Sequence, residues 1–324
     1  MSQRILNQKR RPCSLKIVFM GTPDFSVPSL KALDDRYGVS LVITQPDKEK
    51  GRGKKIIHSP VKEEALKRGI RVLQPVKIKA DAGVIDEIRK EEPDFIVVVA
   101  YGQLLSEEIL SIPRFGCINL HASLLPELRG AAPINWAIIR GNKEAGNTTM
   151  LMEKGLDSGP MLLKDILGIH DTMTAGELHD LLSERGGDLL IRTLDGIAEG
   201  TLEPEVQDHD RSTYAPMLSK ETGNIDWTKS AEEIRNLIRG LAPAPAAYTY
   251  IGEDQVKVLE ADIVPKDNVS PGAILDVSKA GILAGTGRDA LLLRKIQYPG
   301  KKPMLLRDFL NGNTITEKEF NGGR

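Results

Sequence analysis

Residues 94–100, DFIVVVA, constrain this chain more tightly than any other stretch. Apolar and mostly β-branched side chains fill 95–100 without a polar face, which suits a strand covered on both sides and not a half-exposed one. Similar runs recur at LKIVFM (15–20), VSLVIT (39–44), IRVLQ (70–74), CINL (117–120) and NTTMLME (147–153), with GPMLLKDILGI (159–169) as an outer strand. Helices are expected between them: over 27–35, from 60 onward with Ser59 as cap and Pro60 in first position, over 80–90 and 132–140, and over a long amphipathic stretch at 174–199. Strands alternating with helices in this way imply an α/β fold with a doubly wound parallel sheet.

The pattern changes near residue 200. EPEVQDHDRSTYAPMLSKE has little period and reads as a linker, followed by one helix over 231–239. Short strands then follow closely (AAYTYI, QVKVLEADIV, GAILDVS, GILAGT, ALLLRKIQ), as in a small β-barrel or sandwich. The expected organisation is a disordered basic extension at 1–14, an α/β domain at 15–202, a linker at 203–220 and a β domain at 221–324. A presequence is the functional alternative for 1–14, although the segment is short for one.

With 324 residues, each of two domains can bury its own core. No apolar run approaches a membrane span, so a cytoplasmic protein that does not engage membrane is expected, and a monomer. Cys13 and Cys117 fall in a tail and in an expected buried strand, which argues against a disulfide framework, and no cysteine or histidine spacing suggests a metal. The net charge of −1 hides an asymmetry. Lys and Arg far outnumber Asp and Glu over residues 1–79, and acidic later segments cancel the excess. A neutral total therefore does not exclude a polyanionic partner.

Three segments carry candidate chemistry. In GCINLHASLLPELRG (116–130), Asn119 and His121 stand two apart on one strand and so project to the same face at its carboxyl end. Ligands bind at that end of open parallel sheets, and an amide beside an imidazole can stabilise and protonate an oxyanion. A lone histidine is more often a satisfied core residue. Ser123 and Pro126 just beyond a strand end favour the chemical role here, as does GLDSG (155–159), where Asp157 sits in a glycine-flanked turn after NTTMLME, expected at the same edge of the sheet. A carboxylate there can orient the imidazole and favour its protonated form; its plain alternative is a turn-forming Asp. QPDKEKGRGKK (45–55) brackets Arg52 with Gly51 and Gly53 and precedes Lys54 and Lys55, giving a mobile cationic loop that is either simply solvated or suited to phosphate contacts. The first turn, MGTPDF (20–25), has one glycine where a dinucleotide site would show three, so Thr22 and Asp24 read as a structural turn and hydride transfer is disfavoured.

Together, FMGTPDFSVPSL, TQPDKEKGRGKK, SPVKEEA, VVVAYGQLL, GCINLHASLLPELRGAAPI, GLDSGPML, PEVQD and LSKETGNIDW resemble the methionyl-tRNA formyltransferase family in order, with looser matches at VKV, PGAI and GKKPM. The resemblance implies a Rossmann-like domain carrying an OB-like β-barrel. It also implies formyl transfer from 10-formyltetrahydrofolate, as co-substrate and without a metal, to the α-amino group of methionyl initiator tRNA. The family's catalytic Asn, His and Asp fall on Asn119, His121 and Asp157. Its folate-contacting segment falls on Ser123, Leu124, Leu125 and Pro126, and its tRNA-binding basic loop on 45–55, with Arg52, Lys54 and Lys55. Lys220 is the one position carried over in the β domain. Ala122 stands where the family usually has glycine and Leu128 where it has an aromatic, and RGLAPAPAAY lacks a tryptophan often found there. Two other functions compete. A formyltransferase acting on an amino-sugar nucleotide shares both domains but lacks the GRGKK loop; a non-catalytic RNA-binding protein would not need the three intact catalytic positions.

Overall fold

The computed structural model describes residues 15–50 and 55–320. The basic extension expected at 1–14 lies outside them, as do Arg52 and Lys54. The described chain forms two compact units. One comprises the chain up to His121 with Asn147–Asp165 and Leu182–Asp210, and the other Ala122–Gly146, Ile166–Leu181 and the chain from Arg211 onward.

In chain order, β1 (Ile17–Gly21) leads into α1 (Val27–Tyr37) and β2 (Val39–Ile43). A small hairpin of β3 (Lys48–Lys50) and β4 (Lys55–Ile57) then precedes α2 (Pro60–Lys67), β5 (Arg71–Leu73) and α3 (Ala82–Lys90). β6 (Phe95–Val99), α4 (Glu107–Leu110), β7 (Cys117–His121), β8 (Arg129–Gly130), α5 (Pro133–Ile139), β9 (Glu144–Leu151), β10 (Met161–Gly168) and α6 (Ala175–Ala198) complete the first two-thirds. Ser59 caps α2 as expected, its hydroxyl accepting from the amide of Lys62, with Pro60 at the first helical position where a missing N–H does no harm. The helix expected over 80–90 begins at Ala82, capped by Asp81 through the amide of Val84.

A seven-stranded sheet runs in the order β10-β9-β7-β6-β1-β2-β5. The five strands from β7 to β5 are parallel, and both β1 and β6 are buried at every residue. Alternation along the strands sends Val18, Met20, Ile96, Val98 and Cys117 to one face, where Ile85 and Ile88 of α3 and Ile109 of α4 pack on them. The opposite face receives α1 and α6. Gly187 of α6 comes so close to α1 that a Cβ there would stand 2.6 Å from Cβ of Ala32, and Ser183 donates to the carbonyl of Phe25.

One direction differs from expectation. β9 pairs antiparallel to β7, with Ile118 opposite Leu151 and His121 opposite Thr148. Burial on both faces makes a strand apolar whichever way it runs, so its residues do not encode direction. The 45–58 segment differs too: its described part is an antiparallel ribbon pairing Lys48 with Ile57 and Lys50 with Lys55, not a plain loop. The aperiodic linker is also partly ordered. Glu205 bridges Met161, and β11 (Tyr214–Ala215) pairs in parallel with β8.

Beyond it, α7 (Ala231–Leu241) precedes β12 (Ala247–Ile251), β13 (Asp254–Val264), β14 (Ile274–Ser278), β15 (Gly281–Gly285), β16 (Ala290–Gln297), β17 (Met304–Leu305) and α8 (Leu306–Phe309). The strands form one antiparallel sheet in the order β12-β13-β16-β15-β14, with β17 also on β16. Irregular register within the β13–β16 and β14–β15 pairs supplies the bends a barrel-like sheet uses. Ile234, Ile238 and Leu241 of α7 close its core against Val256, Val258, Ile282, Leu291 and Leu293. α7 begins in a capping box: Ser230 accepts from the amide of Glu233, whose carboxylate accepts from the amide of Ser230 at 2.9 Å.

Two outcomes follow from this packing. Ser230→Ala removes the cap acceptor and is expected to lower unfolding free energy by about 1 kcal/mol, read from the denaturation midpoint. Cys117 is buried beneath α4, and burial pushes its thiol up to about 12. Peptide mapping after alkylation at pH 8 should therefore find Cys117 unlabelled in the folded protein and labelled only in denaturant.

Candidate active site

All five residues of β7 are buried, and the strand carries Asn119 and His121 on the face of Cys117. Leu120 points the other way, against α6, where a Cβ on Gly186 would stand 2.5 Å from Leu120 Cδ2. Bare backbone on the helix lets it seat the strand. β9 is held from the same side: the hydroxyls of Thr149 and Thr193 lie 2.8 Å apart, and Asn147 donates to the carbonyl of Leu182. Asn119 and His121 are thus fixed by a strand clamped on both edges and both faces.

Asp157 reaches His121 by a route that differs from the expected one. Because β9 is antiparallel, its end at Leu151 lies beside Ile118, away from the His121 end of β7. The turn after β9 folds back, and Asp157 Oδ2 comes to 3.7 Å from His121 Nδ1, both side chains largely buried. That separation is an ion-pair distance slightly longer than a hydrogen bond, of the kind that tightens when a reacting complex forms. Asp157 itself adopts a left-handed backbone with φ 48°. Gly159 has no alternative in this turn, since a Cβ would fall 1.9 Å from the carbonyl oxygen of Leu151.

Gln207 was not singled out in the sequence. It is buried, and its amide donates to the carbonyls of Asp157 (2.9 Å) and Gly159 (2.7 Å), so it fastens the backbone of the turn from the remote segment PEVQD. The sequence signal was its place in PEVQD, one of the segments that carry the family resemblance.

The remaining expected residues are placed as follows. Ser123 is buried and donates to the carbonyl of Glu127 at 2.7 Å; Leu125 is fully buried, while Leu124 and Pro126 are half-buried. Ala122 is half-buried. Leu128 is buried with φ 58°, its amide donating to the Thr213 hydroxyl at 2.8 Å. Lys55 opens β4, and Lys220 is exposed at the start of the turn over 221–223. Thr22 donates to the carbonyl of Tyr101 and Asp24 accepts from the amide of Phe25, the structural turn expected of them. Among the described residues no group of three His, Cys, Asp or Glu side chains is arranged to hold a metal, and no helix is long and apolar enough to cross a membrane.

A buried amide and imidazole on one strand face, with a carboxylate folded back onto the imidazole, can bind a developing oxyanion and carry a proton without a covalent intermediate. Residues 15–194 match the formyl transferase family, and residues 217–314 match the formyl transferase C-terminal domain. A protein named methionyl-tRNA formyltransferase from Clostridium tetani is 56% identical over 93% of this chain and 97% of its own length. Proteins of the same name are 55% identical in Clostridium perfringens strain SM101 (93% and 98%) and 50% identical in Caldanaerobacter subterraneus (94% and 98%). Among solved structures, the sugar 3N-formyl transferase WlaRD superposes with a TM-score of 0.65 at 18% identity, over 89% of this chain and 99% of that one. HypX from Aquifex aeolicus, solved with tetrahydrofolic acid, gives 0.60 at 14% identity, over 92% and 47%. At such identities these two structures show the fold alone. The close relatives, spanning both domains, show more: the chain belongs to the methionyl-tRNA formyltransferase family.

Proposed function

We propose that the chain transfers the formyl group of 10-formyltetrahydrofolate to the α-amino group of methionyl initiator tRNA, with Asn119, His121 and Asp157 as its catalytic residues. The observation that carries the assignment of residues is the approach of Asp157 to His121 at 3.7 Å on the strand that also presents Asn119. The folate supplies the formyl group. As the neutral amine attacks the formyl carbon, the Asn119 amide and the His121 ring donate to the oxygen that gains charge. Asp157 holds the ring and helps pass the amine proton, through water, toward the departing nitrogen of the folate. Gln207 keeps Asp157 in reach by holding its turn. Holding both substrates together supplies the entropic part of the rate.

Ser123, Leu124, Leu125 and Pro126 are assigned to the folate. Arg52, Lys54, Lys55 and Lys220 are assigned to phosphates of the tRNA, which they would bind without reading sequence. On this reading 15–202 is the catalytic domain and 221–324 a tRNA-binding one, in a monomer of the cytoplasm. The fold is shared with sugar N-formyltransferases, so the deciding assay offers the same folate donor with methionyl-tRNA and, separately, an amino-sugar nucleotide. Formylation of the tRNA is expected; activity on the sugar alone overturns the assignment.

Single substitutions divide the roles. Asn119→Ala, His121→Ala and Asp157→Asn should each lower kcat by roughly 10²–10³-fold with tRNA affinity nearly unchanged. Near-normal turnover in His121→Ala would remove the oxyanion role. Arg52→Ala should instead weaken tRNA binding and lower the slope of log affinity against log salt by about one, measured by filter binding across a salt series.

A further inference from the structure

Within the second unit, the end of α5 meets the start of α7 at a cavity of about 510 Å³, inside the roughly 300–1,000 Å³ range of small-molecule sites. Close backbone approach brings the two helices together. A Cβ on Gly240 would stand 2.5 Å from Ile139 Cγ1, and Asn135 donates to the carbonyl of Gly240 at 2.7 Å. None of the residues assigned to formyl transfer lines this cavity. Among the described residues Ile139 is its only large apolar side chain and no aromatic ring borders it, so it offers nothing on which a base or a pterin would stack.

Of the side chains around it, Asn236 alone is buried, at 6% exposure. Its orientation is decided from behind. Arg239 Nε donates to Asn236 Oδ1 at 2.9 Å, and because a guanidinium can only donate, the atom facing it has to be the oxygen. Arg239 is itself held by donating through Nη1 to the carbonyls of Met173 at 3.1 Å and His170 at 3.3 Å. The amide nitrogen of Asn236 is therefore left to the cavity side, against Gly141, where a Cβ would stand 3.0 Å from it. No described residue accepts from that nitrogen. A buried donor without an acceptor is costly, and here it calls for an acceptor from outside the chain.

The exposed side chains around Asn236 say what charge that acceptor carries. Arg140 lies over the ring of Trp136 and donates to the carbonyl of Tyr214 at 2.7 Å, so it is held in place without a carboxylate. Lys229 has no ion pair among the described residues, and Arg288 has only Asp289, 3.9 Å away. Two acids oppose these cations. Glu233 is committed to Ser230, accepting from its amide at 2.9 Å and its hydroxyl at 2.7 Å, while Glu232 is exposed and free to turn to water. The start of α7 adds the positive end of its dipole. The balance favours an anion whose oxygens can accept from several donors at once, as those of a phosphate ester do. The uncommitted amide belongs to the most buried residue, so the group has to enter the cavity. A compact molecule can do so; a phosphate within a polynucleotide backbone is flanked by two riboses that keep it outside.

We propose that the cavity between α5 and α7 binds a small phosphorylated compound, with Asn236 donating to a phosphate oxygen and Arg140, Lys229 and Arg288 answering its charge.

The test titrates inorganic phosphate and pyrophosphate calorimetrically into the full-length protein at constant ionic strength, with chloride as the control. Saturable binding of pyrophosphate is expected. Asn236→Asp keeps an oxygen for Arg239, and so the packing behind the cavity, but turns an acceptor toward the ligand; it should weaken pyrophosphate binding by at least about tenfold. The pair Lys229→Gln/Arg288→Gln, at two exposed side chains, should weaken it by about tenfold as well. In Asn236→Asp, kcat and KM for methionyl-tRNA should stay within about twofold of the parent. Absence of saturable binding in the parent protein leaves the cavity to water and overturns the proposal. Equal binding by the parent and Asn236→Asp overturns it too, and so does unchanged binding in the Lys229→Gln/Arg288→Gln pair, whatever the stability of Asn236→Asp. A rise of about tenfold in KM for methionyl-tRNA in Asn236→Asp, with an unchanged melting temperature, overturns it by making the cavity a contact for the tRNA.

Discussion

Putting an amide and an imidazole on a strand that has no solvent on either side is the demand from which the rest of this architecture follows. Asn119 and His121 lose their hydration when β7 is buried, and polar groups taken from water must find partners or be held where a reaction will use them. Such a strand cannot be allowed to shift, because a slip of one residue would exchange Asn119 and His121 for Leu120 on the working face. The parallel ladder to β6 fixes one edge, the antiparallel ladder to β9 fixes the other, and the contact of Leu120 with α6 fixes the back. The carboxylate then has to come from a turn and not from the strand itself, and that turn needs an anchor of its own in Gln207.

Much of this was legible in the residues. Apolar runs marked every strand of the main sheet to within a few positions, most plainly β1 and β6, where burial at every residue is written directly into side-chain type. Asn119, His121 and Asp157 stood out because a polar pair closes a buried strand and an acid sits between glycines at what the sequence places near one sheet edge. What remained hidden was relational. The direction of β9 leaves no trace in its composition, so the end of the sheet from which Asp157 arrives could not be read. Gln207 acts on a turn far from it in sequence, within a segment whose lack of period resembles a tether. The β3–β4 ribbon is built from KEK and KII, which carry no apolar period to announce a strand.

The two units solve similar problems by different means. Around β7 order comes from covered strands and close backbone approach. In the second unit it comes from the helix α7, whose apolar side fills the concave face of an antiparallel sheet and whose start is secured by the Ser230–Glu233 box. A sheet half open to solvent can vary its outer residues freely, and that freedom explains why resemblance is looser there than around His121.

The bare stretch of α6 has an implication for anyone wishing to make such a protein hardier. Adjacent glycines inside a long helix look like defects, since each forgoes roughly 1 kcal/mol of helix propensity relative to alanine. Replacing them is a standard route to thermostability. Here Gly186 rests on Leu120 and Gly187 on Ala32, at separations too short for even one added methyl group. An alanine at either place would push the helix off the back of β7 or off α1. The weak spot in α6 is thus the seat of β7, and engineering guided by helix propensity alone would trade the packing of that strand for a gain it could not collect.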